Sequence, residues 1–86
     1  MFYYYYYFNE VTFAERLKTL RQSKNLTLEK LGSEINSTKA TIGNFENGNK
    51  KPSLDALIKI ANYFEVSLDY LVGRSDDPNF TPQKTD

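Results

Sequence analysis

Eighty-six residues at 10.0 kDa make one small domain, and the absence of Cys and His excludes disulfides, thiolate metal sites and the commonest general base and zinc ligand. A chain this short buries only roughly 60–65% of its extended surface, so its core needs well-packed helices or a partner. Eleven Lys and Arg balance 11 Asp and Glu, but the zero sum hides a polarised chain: residues 1–15 carry −2, residues 16–51 carry +5 from eight bases and three acids, and residues 52–86 carry −3.

Residues 2–8 are an unbroken aromatic run holding seven of the 13 aromatics. The run is far shorter than the roughly 20 residues needed to span a bilayer and lacks the basic and small-residue flanks of a secretory signal, so a cytoplasmic protein with no membrane partner is expected. Residues 1–11 are read as an aromatic arm. Thr12-Phe13-Ala14-Glu15 has the pattern of a capping box and predicts a first helix from Thr12 to about Lys24, with Phe13, Leu17 and Leu20 inward. Thr27 is expected to cap a second helix carrying Leu31 and Ile35, broken at Asn36-Ser37. Thr38 caps a third with Ile42 and Phe45 inward, closed by Asn47-Gly48. Ser53 opens a fourth on the stripe Leu54, Leu57, Ile58, Ala61 and Phe64, and Ser67 a fifth that stops at Gly73. With no strand-like alternation the class is all-α, and residues 74–86 read as a polar tail.

Helix 2, the turn at Asn36-Ser37 and helix 3 form a helix-turn-helix, whose second helix is the one offered to a DNA major groove. With Ile42 and Phe45 inward, Lys39, Ala40, Gly43 and Asn44 face outward. Lys39 can donate to guanine O6 and N7, Asn44 can pair with adenine N6 and N7, and Ala40 can touch a thymine methyl.

The blocks Arg16-Leu17-Lys18-Thr19-Leu20-Arg21, Leu26-Thr27, residues 41–48 (TIGNFENG), Lys51-Pro52-Ser53-Leu54 and residues 66–73 (VSLDYLVG) resemble, in this order, the DNA-binding domain of the lambda/434 repressor and Cro class, the XRE family. The resemblance covers residues 12–73 and implies a five-helix lambda-repressor-like domain. It places base reading on Lys39, Ala40 and Asn44, agreeing with the outward face of helix 3. It implies that Asn47, Asn49, Lys50 and Lys51 grip the sugar-phosphate backbone, with Thr27 and Thr38 adding contacts at helix N-termini. It also implies a partly buried structural ion pair between Arg21 and Glu46. Four positions depart from the family pattern. Leu28 replaces a phosphate-binding glutamine; Gly32 replaces an alanine, at a propensity cost of roughly 0.8–1 kcal/mol; Asn36 replaces a turn glycine; Glu65 replaces the glycine that commonly ends helix 4.

The family's dimer contacts, carried over, fall on Tyr70, Val72, Arg74 and Phe80, and Tyr5 of the aromatic run is a further candidate as part of an ordered arm. The run itself lacks the neighbouring bases that single-strand stacking or a minor-groove arm requires, since the first base in the chain is Arg16. The expected function is therefore a sequence-specific regulator of the phage or mobile-element repressor type. It would bind a palindromic double-stranded DNA operator as a homodimer, with no catalytic residue, metal, cofactor or small-molecule effector domain. A protein-interaction module of antitoxin-like or anti-regulator type on the same fold is the alternative.

Overall fold

The computed structural model describes residues 7–79, which form helices α1 (Glu10–Ser23), α2 (Leu28–Glu34), α3 (Lys39–Glu46), α4 (Leu54–Phe64) and α5 (Leu68–Val72), with no strand among the described residues. Every helix starts on a side-chain oxygen that takes an amide left without an intrahelical partner. The hydroxyls of Thr27, Thr38, Ser53 and Ser67 accept from the amides of Lys30, Thr41, Ala56 and Tyr70. The start of α1 differs from expectation. Its cap is Asn9, whose Oδ1 accepts from the Thr12 amide at 3.0 Å, so Thr12 lies inside the helix and the capping box it resembles is not used. The Asn9 amide in turn donates to the Val72 carbonyl at 3.0 Å, which ties the entry of α1 to the end of α5.

The helix ends are equally uniform. After each helix comes one residue with positive φ: Asn25, Asn36, Gly48, Glu65 and Gly73. In each case the following amide reaches back to the carbonyl five residues earlier, as Asn49 N does to Asn44 O and Val66 N to Ala61 O. This is the Schellman closure, repeated five times. The corner after α4 is therefore built as a glycine would build it, although Glu65 pays the steric cost of a left-handed side chain at φ 55°. Glu65→Gly is expected to raise stability by about 1 kcal/mol, measured by chemical denaturation.

The core gathers Phe13 and Leu17 from α1, Leu31 from α2, Ile42 and Phe45 from α3, and the inward stripes of α4 and α5. Leu20 and Leu54, also expected inward, are partly buried at its margin, and no polar or charged residue among those described is buried. α2 packs on α3, while α1 packs on both α3 and α5. The α2–α3 approach is close enough to explain Gly32, which is buried. A Cβ there would lie 2.8 Å from the Thr38 carbonyl carbon and 3.0 Å from its oxygen. The glycine is thus a packing requirement of the turn in this chain, which the propensity argument alone did not reveal.

Residues 74–79 do not behave as the free tail expected. Arg16 on α1 stacks its guanidinium 4.0 Å from the centroid of the Tyr70 ring and donates to the carbonyls of Tyr70 and Ser75. It also meets Asp76 at 2.7 Å. Ser67 adds two bonds, from its amide to the Pro78 carbonyl and from its hydroxyl to the Asp77 carbonyl. One arginine and one serine thereby strap this segment across α1 and α5.

Candidate nucleic-acid interface

α3 is an eight-residue helix whose two apolar anchors, Ile42 and Phe45, are 0% and 3% exposed. Fixing that face in the core fixes the opposite one. Lys39, Ala40 and Asn44 are exposed and Gly43 is half-buried, and their i, i+3 and i, i+4 spacings put them on one side of the helix. A Cβ at position 43 would sit 3.9 Å from Leu28 Cδ1, so Leu28 lies beside this face as an apolar neighbour. Leucine offers no hydrogen bond there.

The loop after α3 is held to it rather than loosely attached. Asn47 N donates to Gly43 O, Gly48 N to Phe45 O and Asn49 N to Asn44 O, with Gly48 at φ 76°. Asn47, Asn49, Lys50 and Lys51 are all exposed beside the C-terminal end of α3. The two capping threonines differ in what they can still offer. Thr38 uses its hydroxyl twice, accepting from the Thr41 amide and donating to the Thr41 hydroxyl at 3.0 Å. Thr27 accepts from Lys30 N at 3.0 Å and is exposed, so its own O–H can still point outward to an acceptor.

Arg21 and Glu46 meet as a fork. Arg21 Nε donates to Glu46 Oε2 at 2.7 Å, Nη2 to Oε1 at 3.1 Å, and Nη1 to the Leu26 carbonyl at 2.7 Å. The side chains are 15% and 7% exposed. The Glu46 hydrogen bond holds the guanidinium above its ordinary pKa, with burial opposing and the charge attraction adding. The pair ties the end of α1, the link into α2 and the last residue of α3 into one unit.

Ion pairing also redraws the basic block. Arg16, Arg21 and Lys30 are committed to Asp76, Glu46 and Glu34, so three of the eight bases of residues 16–51 serve the domain itself. Lys39, Lys50 and Lys51 stand on α3 and its loop. Glu34 and Glu46 are already counted in the +5, so only the Arg16–Asp76 pair takes from it, and Lys18, Lys24, Lys39, Lys50 and Lys51 are exposed.

Among the expected dimer positions within the described residues, Val72, Tyr70 and Arg74 stand in different surroundings. Val72 is 0% exposed and its side chain belongs to the core, which corrects its candidacy as a docking contact. Tyr70 is half-buried beneath Arg16. Arg74 bonds Asp69 at 2.6 Å and lies 5.9 Å from the Tyr7 ring centroid. Tyr5 and Phe80 lie outside the described residues. A contact that sequence reasoning missed is Phe8, whose ring centroid is 5.4 Å from Lys51 Nζ. In a run of identical character, nothing in the sequence singled this residue out.

A capped helix set on a tight turn from its predecessor, with one face locked into the core and the other lined by Lys, Ala and Asn, is a helix-turn-helix scaffold. The helix-turn-helix family model matches residues 17–71, and the chain belongs to the XRE-type helix-turn-helix family. It is 40% identical over 67 residues to YobD of Bacillus subtilis (strain 168), an uncharacterized HTH-type transcriptional regulator, covering 78% of this chain and 60% of that protein. It is 35% identical over 60 residues to RstR, the cryptic phage CTXphi transcriptional repressor of Vibrio cholerae serotype O1, covering 70% and 54%. Among solved structures, the restriction-modification controller protein C.AhdI from Aeromonas hydrophila superposes with a TM-score of 0.65 at 30% identity, over 71% of this chain and 92% of that one. Both of these curated relatives are transcriptional regulators, and this chain spans 54–60% of their length. No helix among the described residues is long and apolar enough to cross a membrane.

Proposed function

We propose that this chain is a sequence-specific double-stranded DNA-binding transcriptional regulator of the phage or mobile-element repressor type. The observation that carries the reading is the exposed face of Lys39, Ala40 and Asn44 on α3, bonded through its own C-terminal closure to the loop of Asn49, Lys50 and Lys51. In this reading the side chains of α3 enter the major groove while the loop lysines and asparagines, with the Thr27 hydroxyl, hold phosphates. Occupying an operator would block polymerase sterically, and no side chain needs a catalytic role. The protein would act as a dimer, since two such helices roughly 34 Å apart read successive major grooves.

Selection of bound sequences from a random duplex library tests this reading. Enrichment of a palindrome with half-sites roughly 10 bp apart supports the dimeric regulator. A single enriched half-site removes the dimer, and no enrichment leaves the protein-interaction module. On the selected duplex, Asn44→Ala is expected to cost roughly 1–3 kcal/mol and to relax preference at one base position, whereas Lys50→Ala and Lys51→Ala weaken all sequences alike and each reduce the salt slope by roughly 1. Unchanged affinity of Asn44→Ala for both selected and random DNA would refute the assignment of α3.

A further inference from the structure

The two glycines inside α2 and α3 stand in different surroundings. At Gly32 a Cβ would press on the Thr38 backbone at 2.8 Å, whereas at Gly43 it would meet Leu28 Cδ1 at 3.9 Å, an ordinary van der Waals distance. Gly43 also has no positive φ. Alanine would therefore fit at position 43, and helix propensity favours it. Since neither the backbone conformation nor the internal packing excludes a methyl there, what the glycine supplies is room on the outside, where a ligand can approach the helix backbone closely.

That room has an apolar wall. Leu28 is half-buried and packed against the core at the start of α2, and its Cδ1 lies beside the point where a Gly43 side chain would begin. The surroundings are polar: Thr27 precedes Leu28, and Lys39 and Asn44 are exposed on the same side of α3 as Gly43. In the major groove the base edges present hydrogen-bonding groups and a single apolar one, the 5-methyl of thymine, which 5-methylcytosine also carries. An apolar notch in a polar base-reading face matches that group.

We propose that Gly43 and Leu28 together form a notch that takes the 5-methyl group of a pyrimidine, the methyl resting on the Gly43 Cα with Leu28 Cδ1 as its wall. The inference rests on the DNA-binding reading above and narrows it: the operator carries thymine or 5-methylcytosine opposite the middle of α3. Leu28, which cannot make the phosphate hydrogen bond of a glutamine, contributes instead to the choice of base.

The test uses the full chain and the selected duplex, with each thymine of a half-site replaced in turn by uracil, which lacks only the methyl. At one position the replacement is expected to weaken binding about four-fold, the worth of one buried methyl. Gly43→Ala fills the notch from within. It should melt no lower than the original protein, yet bind the thymine and uracil duplexes alike at that position, while any thymine read by Ala40 keeps its preference. Leu28→Ala removes the wall and should lose the same preference. Cytosine and 5-methylcytosine at that position separate the two sources of the methyl, and the tighter of the thymine and 5-methylcytosine duplexes identifies the base the notch serves. A half-site in which no pyrimidine methyl changes affinity overturns the proposal, as does a preference that survives either substitution. If Asn44→Ala leaves affinity for selected and random DNA unchanged, the DNA-binding reading fails and this inference with it. If Asn44→Ala weakens binding and the methyl preference is absent or survives Gly43→Ala, the inference alone fails.

Discussion

Glu46→Ala is expected to destabilise the domain by roughly 3–5 kcal/mol, because it leaves the Arg21 guanidinium largely buried without its carboxylate. For a domain of this size that corresponds to a fall in Tm of at least about 12 °C, read by thermal melting. The effect is large because Arg21 forks across three acceptor atoms on two residues, Glu46 and Leu26, and only the Leu26 carbonyl survives the change. Replacing both partners by apolar residues, Arg21→Met with Glu46→Leu, should recover most of the loss, since no charge is then stranded. The pH dependence follows from the direction of the Arg21 shift. A guanidinium raised above its ordinary value contributes fully at every pH below its unfolded pKa and fades only as pH rises through the folded one. The contribution of Arg21 is therefore flat through the neutral and mildly alkaline range. A Glu46→Ala protein melting within a degree or so of the original would show that the pair is not the lock of the fold.

Local chemistry made much of this molecule readable in advance. Thr27, Thr38, Ser53 and Ser67 announce helix starts because a short side-chain oxygen has one obvious amide to accept from, and Asn36, Gly48 and Gly73 announce ends because few residues tolerate positive φ. The outward face of α3 follows from its two inward anchors by helical spacing alone. What failed was tertiary. Thr12-Phe13-Ala14-Glu15 fits a capping box, yet Asn9 wins because its own amide is held by Val72, 63 positions on. The segment after Gly73 has a polar, Pro-interrupted composition, and only the placement of Arg16 beside Tyr70 reveals that it is strapped down. The resemblance carries Val72 over as a dimer contact, but α5 is a single turn and a half and turns that residue into the core.

Gly32 is where helix propensity and packing give opposite answers, and a substitution decides between them. On propensity alone any side chain should help, by roughly 0.8–1 kcal/mol for alanine in place of glycine. In the folded chain the first carbon of that side chain meets backbone atoms of Thr38 and Lys39, at 2.8, 3.0 and 3.2 Å, and backbone cannot rotate aside. Alanine already needs the backbone at Thr38 to shift, so Gly32→Ala is expected to destabilise the domain in spite of its propensity gain. Valine adds two methyls on a β-branched stem, and Gly32→Val is expected to cost about 3 kcal/mol, the upper end for overpacked cores. The turn itself closes through Ser37 N on Gly32 O at 2.6 Å, so the strain falls on the hinge that sets α3 against α2. Under conditions where Gly32→Val remains folded, its affinity for the selected operator should fall more than its affinity for random duplex, because base reading depends on the pose of α3 and phosphate attraction does not. Denaturant titration together with paired affinity measurements checks both halves, and a valine variant as stable as the original would mean that the approach of α2 to Thr38 is looser than these distances require.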